Sequence, residues 1–381
     1  MNKNIYITHY SSINSVFLPG NDSYPVPSGF QAGIRLKCHE PDYNLFLTDS
    51  AARRRMSRTV KMGMAAALHC LRDFQKTPGA IITATGLGCL SDTEKFLRNI
   101  QENNEELLNP TPFIQSTFNT VGAQLAISLQ AMCCNNTFVH RGLSFENALL
   151  DAMMLLAEGD VKNALVGSYE ELTDAAFDVF SRLGWNRGKG EAGEAGEIGE
   201  AGEIGETGEM GETGELETRN PKLETRNPKL ETSVAGEGSQ FFVLSTEEKS
   251  CCLLRDISFT ATEVFGGELQ EKLCVFLAKN YISPNEIDCL VSGESGRREE
   301  QLFYDAVERT VPCSSVVTYK HLSGDYMTVS SFSLWLSAQI IQTGRIPVCM
   351  IKHGRKKDIN NILIYNNYRN INHSFILLKK V

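Results

Sequence analysis

Residues 118–171 read FNTVGAQLAISLQAMCCNNTFVHRGLSFENALLDAMMLLAEGDVKNALVGSYEE, and the order of elements in this stretch decides the fold. Val121, Leu125, Leu129 and Met132 recur at helical spacing, and Thr137-Phe138-Val139 is a short β-favouring run. The spacing then predicts a tight turn at His140-Arg141-Gly142. A helix follows, with Ser144 as its N-cap, Glu146 in its first turn and Gly159 as its stop. Ala164-Leu165-Val166-Gly167 is a buried strand. A strand delivered through a turn into a helix N-terminus is where many α/β enzymes hold a nucleophile, because unpaired N–H groups and the helix dipole stabilise negative charge there. The side chain at this turn therefore bears directly on function.

The remaining chain suits an α/β protein. Ile5-Tyr6-Ile7 opens with a strand, and Asp49 or Ser50 caps a long helix expected to run to about Gln75. Ala80 to Ala84 is a strand leading into Gly86-Leu87-Gly88, and Ser91-Asp92-Thr93-Glu94 has the form of a capping box. Asn109-Pro110-Thr111-Pro112 breaks the next helix and starts a loop from Pro110 to Phe118. A helical piece covers Ala175 to Leu183. Beyond Gly236-Glu237-Gly238, strands and helices alternate to the C-terminus, so two α/β halves are expected, residues 1–185 and 234–381.

Between the halves lies a low-complexity insert, 186–233. Nine Gly-Glu-x triplets run from Gly190 to Leu216, and Leu-Glu-Thr-Arg-Asn-Pro-Lys then occurs twice. Glycine every third residue has the collagen period, but proline is absent from the triplets and the like-charged glutamates repel one another, so disorder is the expectation. This insert distorts the bulk charge. The formal charge is -9, and residues 191–232, with twelve Glu against four Lys or Arg, supply -8 of it. The near-neutral remainder gives no support for nucleic-acid binding. No apolar run approaches membrane-spanning length, and the start MNKNIYITHYSS lacks the apolar core of a signal peptide. Eleven cysteines show neither CxxC pairs nor metal-ligand spacing, which suits reduced thiols in a cytoplasm and no metal site.

Five segments, taken in order, resemble the β-ketoacyl synthase family. They are Asn119 to Gly122, His140 to Ala148, Glu158-Gly159-Asp160, Val166 to Glu170, and Gly236-Glu237-Gly238, followed by Lys320 to Pro347. The resemblance implies a thiolase-like fold: two related βαβαβαββ halves in an αβαβα layered arrangement, assembled as a dimer. It also implies a condensation in which a cysteine carries an acyl thioester, while two histidines and nearby N–H groups stabilise the enolate and oxyanion.

The chemistry of that family is missing from this sequence. Its cysteine position falls on Gly142, its second histidine on Asp325, and its first histidine on Ser292 or Gly293. The glycine-rich C-terminal loop reads Asn366 to His373 instead, and Lys320 alone survives. Cys89, Cys133 and Cys134 read as inert thiols, and His321 stands one helical turn too early to replace the lost histidine. The resemblance is strongest to chain-length-factor-like, catalytically degenerate subunits of aryl polyene and flexirubin-type pathways. It implies a heterodimer with an active ketosynthase, or else a homodimer, serving an acyl carrier protein whose phosphopantetheine thioester is the substrate of the complex. No bound cofactor is expected. His140, Arg141, Ser144, Phe118 and Ile114 would line the interface or tunnel. Arg53, Arg54, Lys352, Arg355 and Lys356 would dock the acidic carrier. An active condensing enzyme or acyltransferase with displaced residues is the alternative, disfavoured because removing even one such group costs orders of magnitude in rate.

Overall fold

A computed structural model describes residues 3–16, 35–186, 233–261, 266–312, 315–354, 356 and 358–381. The expected disorder of the insert and the docking residue Arg355 both fall outside these residues. Eleven strands form one sheet. In chain order they are β1 (Ile5–Ile13), β2 (Ala80–Ala84), β3 (Cys134–Phe138), β4 (Asn163–Glu170), β5 (Gly238–Ser245) and β6 (Cys252–Thr260). The set closes with β7 (Cys289–Ser292), β8 (Ser315–Thr318), β9 (Ile351–His353), β10 (Asn361–Tyr368) and β11 (Asn372–Lys380). The spatial order β3-β2-β4-β5-β1-β6-β11-β10-β7-β8-β9 contains the same pattern twice.

In the first half β2 is parallel to β3 and β4, β4 is antiparallel to β5, and β5 to β1. In the second half β7 is parallel to β8 and β10, β10 is antiparallel to β11, and β11 to β6. The halves join where β1 meets β6 over two residue pairs, Ile5 with Leu254 and Tyr6 with Leu253. Two copies of one topology are thus present, as the spacing of elements predicts, but β5 completes the first copy, so residues 238–245 belong with the first half and not, as expected, with the second. They differ at one edge: β9 covers β8, whereas β3 is an open edge among the described residues.

Three packing layers flank the sheet. The central one holds helices Ser144–Glu158 and Ser330–Thr343, whose Phe145, Leu149, Leu156, Phe332 and Ile340 are buried against strands of both halves. Helix Ser330–Thr343 is buried over nearly its whole length, its serine hydroxyls donating to nearby carbonyl and amide oxygens such as Ser330 O and Ser333 O. Helices Arg58–Cys70 and Thr120–Leu129 cover the outer face of the first half, and Gly266–Lys279 and Arg298–Thr310 that of the second. The αβαβα order is therefore realised.

Local details depart from expectation for identifiable reasons. β1 is nine residues long, because His9 to Ser12 still pair with β5 beyond a bulge at Thr8. The long helix after Asp49 is two helices, Ser50–Arg55 and Arg58–Cys70, broken by extended backbone at Met56 and Ser57. Asp49 does cap the first, its carboxylate accepting from the N–H groups of Ala51 and Ala52. Ser91 is no N-cap: its helix begins at Leu90, and its hydroxyl donates to Glu171. The loop from Pro110 contains a helix, Pro110–Gln115, because Asn109 caps it and proline suits its first turn. Met132 lies beyond the end of helix Thr120–Leu129 and is fully exposed.

Gly236-Glu237-Gly238 fastens the halves together. Gly236 lies backbone to backbone with Gly324, where a Cβ would fall 2.6 Å from the Gly324 Cα and overlap the Ser323 carbonyl. Gly236 N–H donates to the Asp325 carbonyl at 3.1 Å, and Asp325 N–H to Val234 at 2.7 Å. The fully buried Glu237 accepts two bonds from the Arg58 guanidinium, at 2.6 and 2.8 Å, and one each from the N–H groups of Cys38 and Leu172. Such a carboxylate costs little to bury because every lone pair is engaged.

The two ends of the insert meet in the same region. Ser233 Oγ donates to the Trp185 carbonyl at 2.9 Å, so residues 186 and 233 stand side by side. Closing a loop at such a point costs little free energy whatever its length. Deletion of 187–232 with a short Gly-Ser joint is expected to leave the melting temperature within about 3 °C of the full chain. A cooperative transition lowered by ten degrees or more would contradict this.

Candidate functional site

The site forms where parallel strands end. β2, β3 and β4 run in one direction, as do β7, β8 and β10, so the turns leaving β3, β7, β8 and β10 converge beside the central helices. The turn after β3 is an elbow. His140 and Arg141 are exposed, Arg141 adopts a left-handed φ of 47°, and Arg141–Leu143 forms one 3-10 turn ahead of the central helix. Ser144 is not the N-cap expected. It lies inside the helix, where its hydroxyl accepts from His140 N–H at 2.7 Å and donates to the Arg141 carbonyl at 2.8 Å, closing the turn. Gly142 is buried at its apex, and a Cβ there would overlap the ring of Tyr368 at the end of β10.

The second half supplies the facing wall. Gly293 follows β7, with Asn366 Oδ1 and the Tyr319 hydroxyl at 2.7 and 3.1 Å from where its Cβ would be. Its carbonyl accepts from the Tyr304 hydroxyl at 2.5 Å. Lys320, after β8, is 3 % exposed, and its ammonium lies 3.0 Å from the Asp325 carboxylate rather than near Glu294. Arg297 reaches Asp325 at 3.7 Å and Glu300 at 3.5 Å, and Glu300 accepts from Ser295. Two cations thus balance two anions, a requirement for keeping charge buried. Burial opposes ionisation of Asp325, but the Lys320 and Arg297 charges hold its carboxyl below the usual range. Asp325 is therefore an anion bound to a lysine, a group unable to do what a histidine would.

Cys89, Cys133 and His321, the thiols and imidazole nearest the expected positions, are each perturbed by burial. Burial raises the Cys89 and Cys133 thiols, so neither is a ready thiolate at neutral pH. Burial also lowers the His321 imidazole, which bonds the Cys349 carbonyl at 3.1 Å. No cluster of His, Cys, Asp or Glu among the described residues could hold a metal ion.

Three groups that sequence reasoning missed complete the site. Glu146, fully buried at the start of helix Ser144–Glu158, accepts from Ser374 Oγ at 2.8 Å, and burial raises its pKa to about 7. Arg369 lies over the Trp185 ring at 3.3 Å, and Arg297 also donates to the Trp185 carbonyl. The only sequence signal was negative, the loss of glycines from Asn366 to His373. The expected docking cations divide into two kinds. Lys352 is ion-paired with Glu294 and Glu308, and Lys356 with Asp288, so both charges are already neutralised within the fold. Arg53 donates to the Leu47 carbonyl and Arg54 is exposed; with Lys61 and Tyr43 they line a surface hollow of about 300 Å3.

With that geometry in view, comparison with known proteins is specific. The family described as "Beta-ketoacyl synthase, N-terminal domain" matches residues 37–185. Among solved structures, the ishigamide ketosynthase/chain length factor superposes with a TM-score of 0.73 at 14% identity, over 100% of both chains. A ketosynthase in complex with its chain length factor from Xenorhabdus doucetiae gives 0.70 at 14%, over 100% of this chain and 98% of that one. A type II polyketide ketosynthase in complex with its acyl-carrier protein gives 0.71 at 13%, over all of both chains. No curated protein matches the sequence. The fold is that of β-ketoacyl synthases along its whole length, and the first half carries the family's N-terminal domain.

Glu146 gives the site a pH dependence. Its folded pKa of about 7 exceeds the ordinary 4.5, so folding takes up a proton between these values. Its contribution to stability is complete below about pH 4.5 and is lost as pH rises through about 7. Glu146→Gln should match the parent at pH 5 and exceed it by about 1–3 kcal/mol at pH 8. Urea unfolding at both values measures this, and an unchanged pH slope would refute it.

Proposed function

We propose that this chain is a non-catalytic, chain-length-factor-like subunit that pairs with an active ketosynthase. The carrying observation is an intact elbow with glycine at its apex, placed beside an uncovered sheet edge. A condensing enzyme needs a nucleophile and groups that stabilise an enolate. Here Gly142, Gly293 and Asp325 stand at the three positions concerned, and the loop glycines are gone. Chemistry for the complex would come from the partner, acting on the phosphopantetheine thioester of an acyl carrier protein.

The internal repeat supports the mode of pairing. β8 in the second half is covered by β9, while its counterpart β3 ends the sheet, exposing its first three residues. Val139, directly after β3, is 40 % exposed, and Met154, on the helix packed beside β3, is 50 % exposed; Ile114 at 60 % and Phe118 at 46 % are further exposed apolar side chains of the first half. Open edge strands with apolar neighbours are liable to pair with other chains, so a stable protein keeps them covered. A partner strand added to β3 would place His140 and Arg141 at the junction. Against the alternative of an active enzyme stands Gly142, which brings no nucleophile to the elbow.

Co-purification from the native cell tests the class. An active ketosynthase bound one-to-one is the expected result, and acylation of the isolated chain by an acyl carrier protein would overturn the proposal. Ile114→Glu combined with Val139→Glu should leave the melting temperature unchanged yet weaken the complex at least tenfold in analytical ultracentrifugation; an unchanged affinity counts against the β3 edge. For carrier docking, Arg53→Glu with Arg54→Glu is expected to slow product formation by the complex severalfold, most at low salt. Equal rates at all ionic strengths would remove that role.

A further inference from the structure

The space in front of the elbow is filled by the protein itself. At Gly142 even a single methyl group has no room: its carbon would lie 2.6 Å from Tyr368 Cβ and overlap the ring. Tyr368 ends β10, and its position is set by the turn into β11, where Arg369 and Asn370 adopt left-handed φ values of 59° and 58°. That turn is braced. Asn370 N–H donates to the Asn367 side chain at 2.9 Å, and the two amides bond at 3.1 Å. Arg369 lies over Trp185 at 3.3 Å and faces Tyr368 at 5.2 Å, and Trp185 stacks on Phe180 at 5.1 Å. A cation held against an aromatic face in a partly dry setting is attracted by the negative face of the ring. The cavity left between Tyr368, Trp185, Arg297, Asp325 and Met327 has about 40 Å3, enough for little more than one water.

From these contacts we infer that Tyr368 is a built-in plug that occupies the elbow in place of a ligand, latched by the stacking of Arg369 on Trp185. The inference rests on Gly142 being the elbow position identified above and adds a second barrier to the missing thiol. Gly142 and Tyr368 are a size-complementary pair, so supplying a cysteine alone would leave the thiol covered. It also places the latch at Trp185, beside the start of the insert.

The test compares full-length Gly142→Cys, Tyr368→Gly and the double variant, labelled with iodoacetamide and read by peptide mass spectrometry at position 142. In the reaction the thiolate displaces iodide, forming one S–C bond, and the thiol proton passes to buffer. The double variant is expected to label at least tenfold faster than Gly142→Cys alone; equal rates from folded proteins would overturn the plug. Gly142→Ala provides a readout that survives poor folding of the cysteine variants. Its melting temperature should drop by several degrees in the parent and by under one degree in a Tyr368→Gly background, or in Tyr368→Ala if that is the stabler variant. Equal drops in both backgrounds would overturn the inference. None of these measurements involves a partner, so failure of the plug leaves the pairing proposal standing, and failure of co-purification leaves the plug standing.

Discussion

Backbone contact between Gly236 and Gly324 is the constraint on which the rest of the molecule depends. Only at a glycine pair can two main chains approach this closely, and their union lets each half donate to the other through Gly236 and Asp325. Beneath it Glu237 gathers Arg58 from one helix and two backbone N–H groups from distant loops. Beyond it Asp325 is held where Lys320 and Arg297 reach it. One joint therefore fixes the relation of the halves and the electrostatics of the site between them.

The same architecture explains how chemistry can vanish while the fold persists. Stability resides in the central helices and the paired sheets, whose apolar residues lie mostly away from the strand ends. Turns at those ends contribute comparatively little burial, so they tolerate Gly142, Gly293 and Asp325 provided buried polar groups find partners. Lys320 illustrates the adjustment. A lysine buried without a partner would be an unpaired charge, and Asp325 removes that penalty by forming an ion pair.

Pseudo-symmetry also makes the uncovered edge intelligible. Two halves with one strand order should treat their edges alike, yet β9 arises only after the second. A short three-residue strand is sufficient cover because it satisfies the outward N–H and C=O groups of β8. Among the described residues no such strand lies beside β3, whose outward N–H and C=O groups stay open.

How much was legible beforehand depended on whether a feature is periodic or spatial. Alternating apolar runs and glycine stops named the strands, the central helix Ser144–Glu158 and the duplication of α/β halves, because these follow from local spacing. Motif order pointed to Gly142, Ser292 or Gly293, Lys320 and Asp325, and the fold sets these residues at or just after strand ends, because intervals along the chain map onto strand ends. Local signals failed where a hydroxyl had competing partners, as Ser144 and Ser91 did, since caps and side-chain acceptors look alike in sequence. Tyr368 against Gly142, Arg369 over Trp185, Glu146 under Ser374 and the neutralised Lys352 join residues from about 40 to more than 220 positions apart. The sequence by itself determined the elements and set a glycine at the elbow; only the tertiary structure decided that Tyr368 packs against it, because volume is filled by whichever side chains the fold brings together.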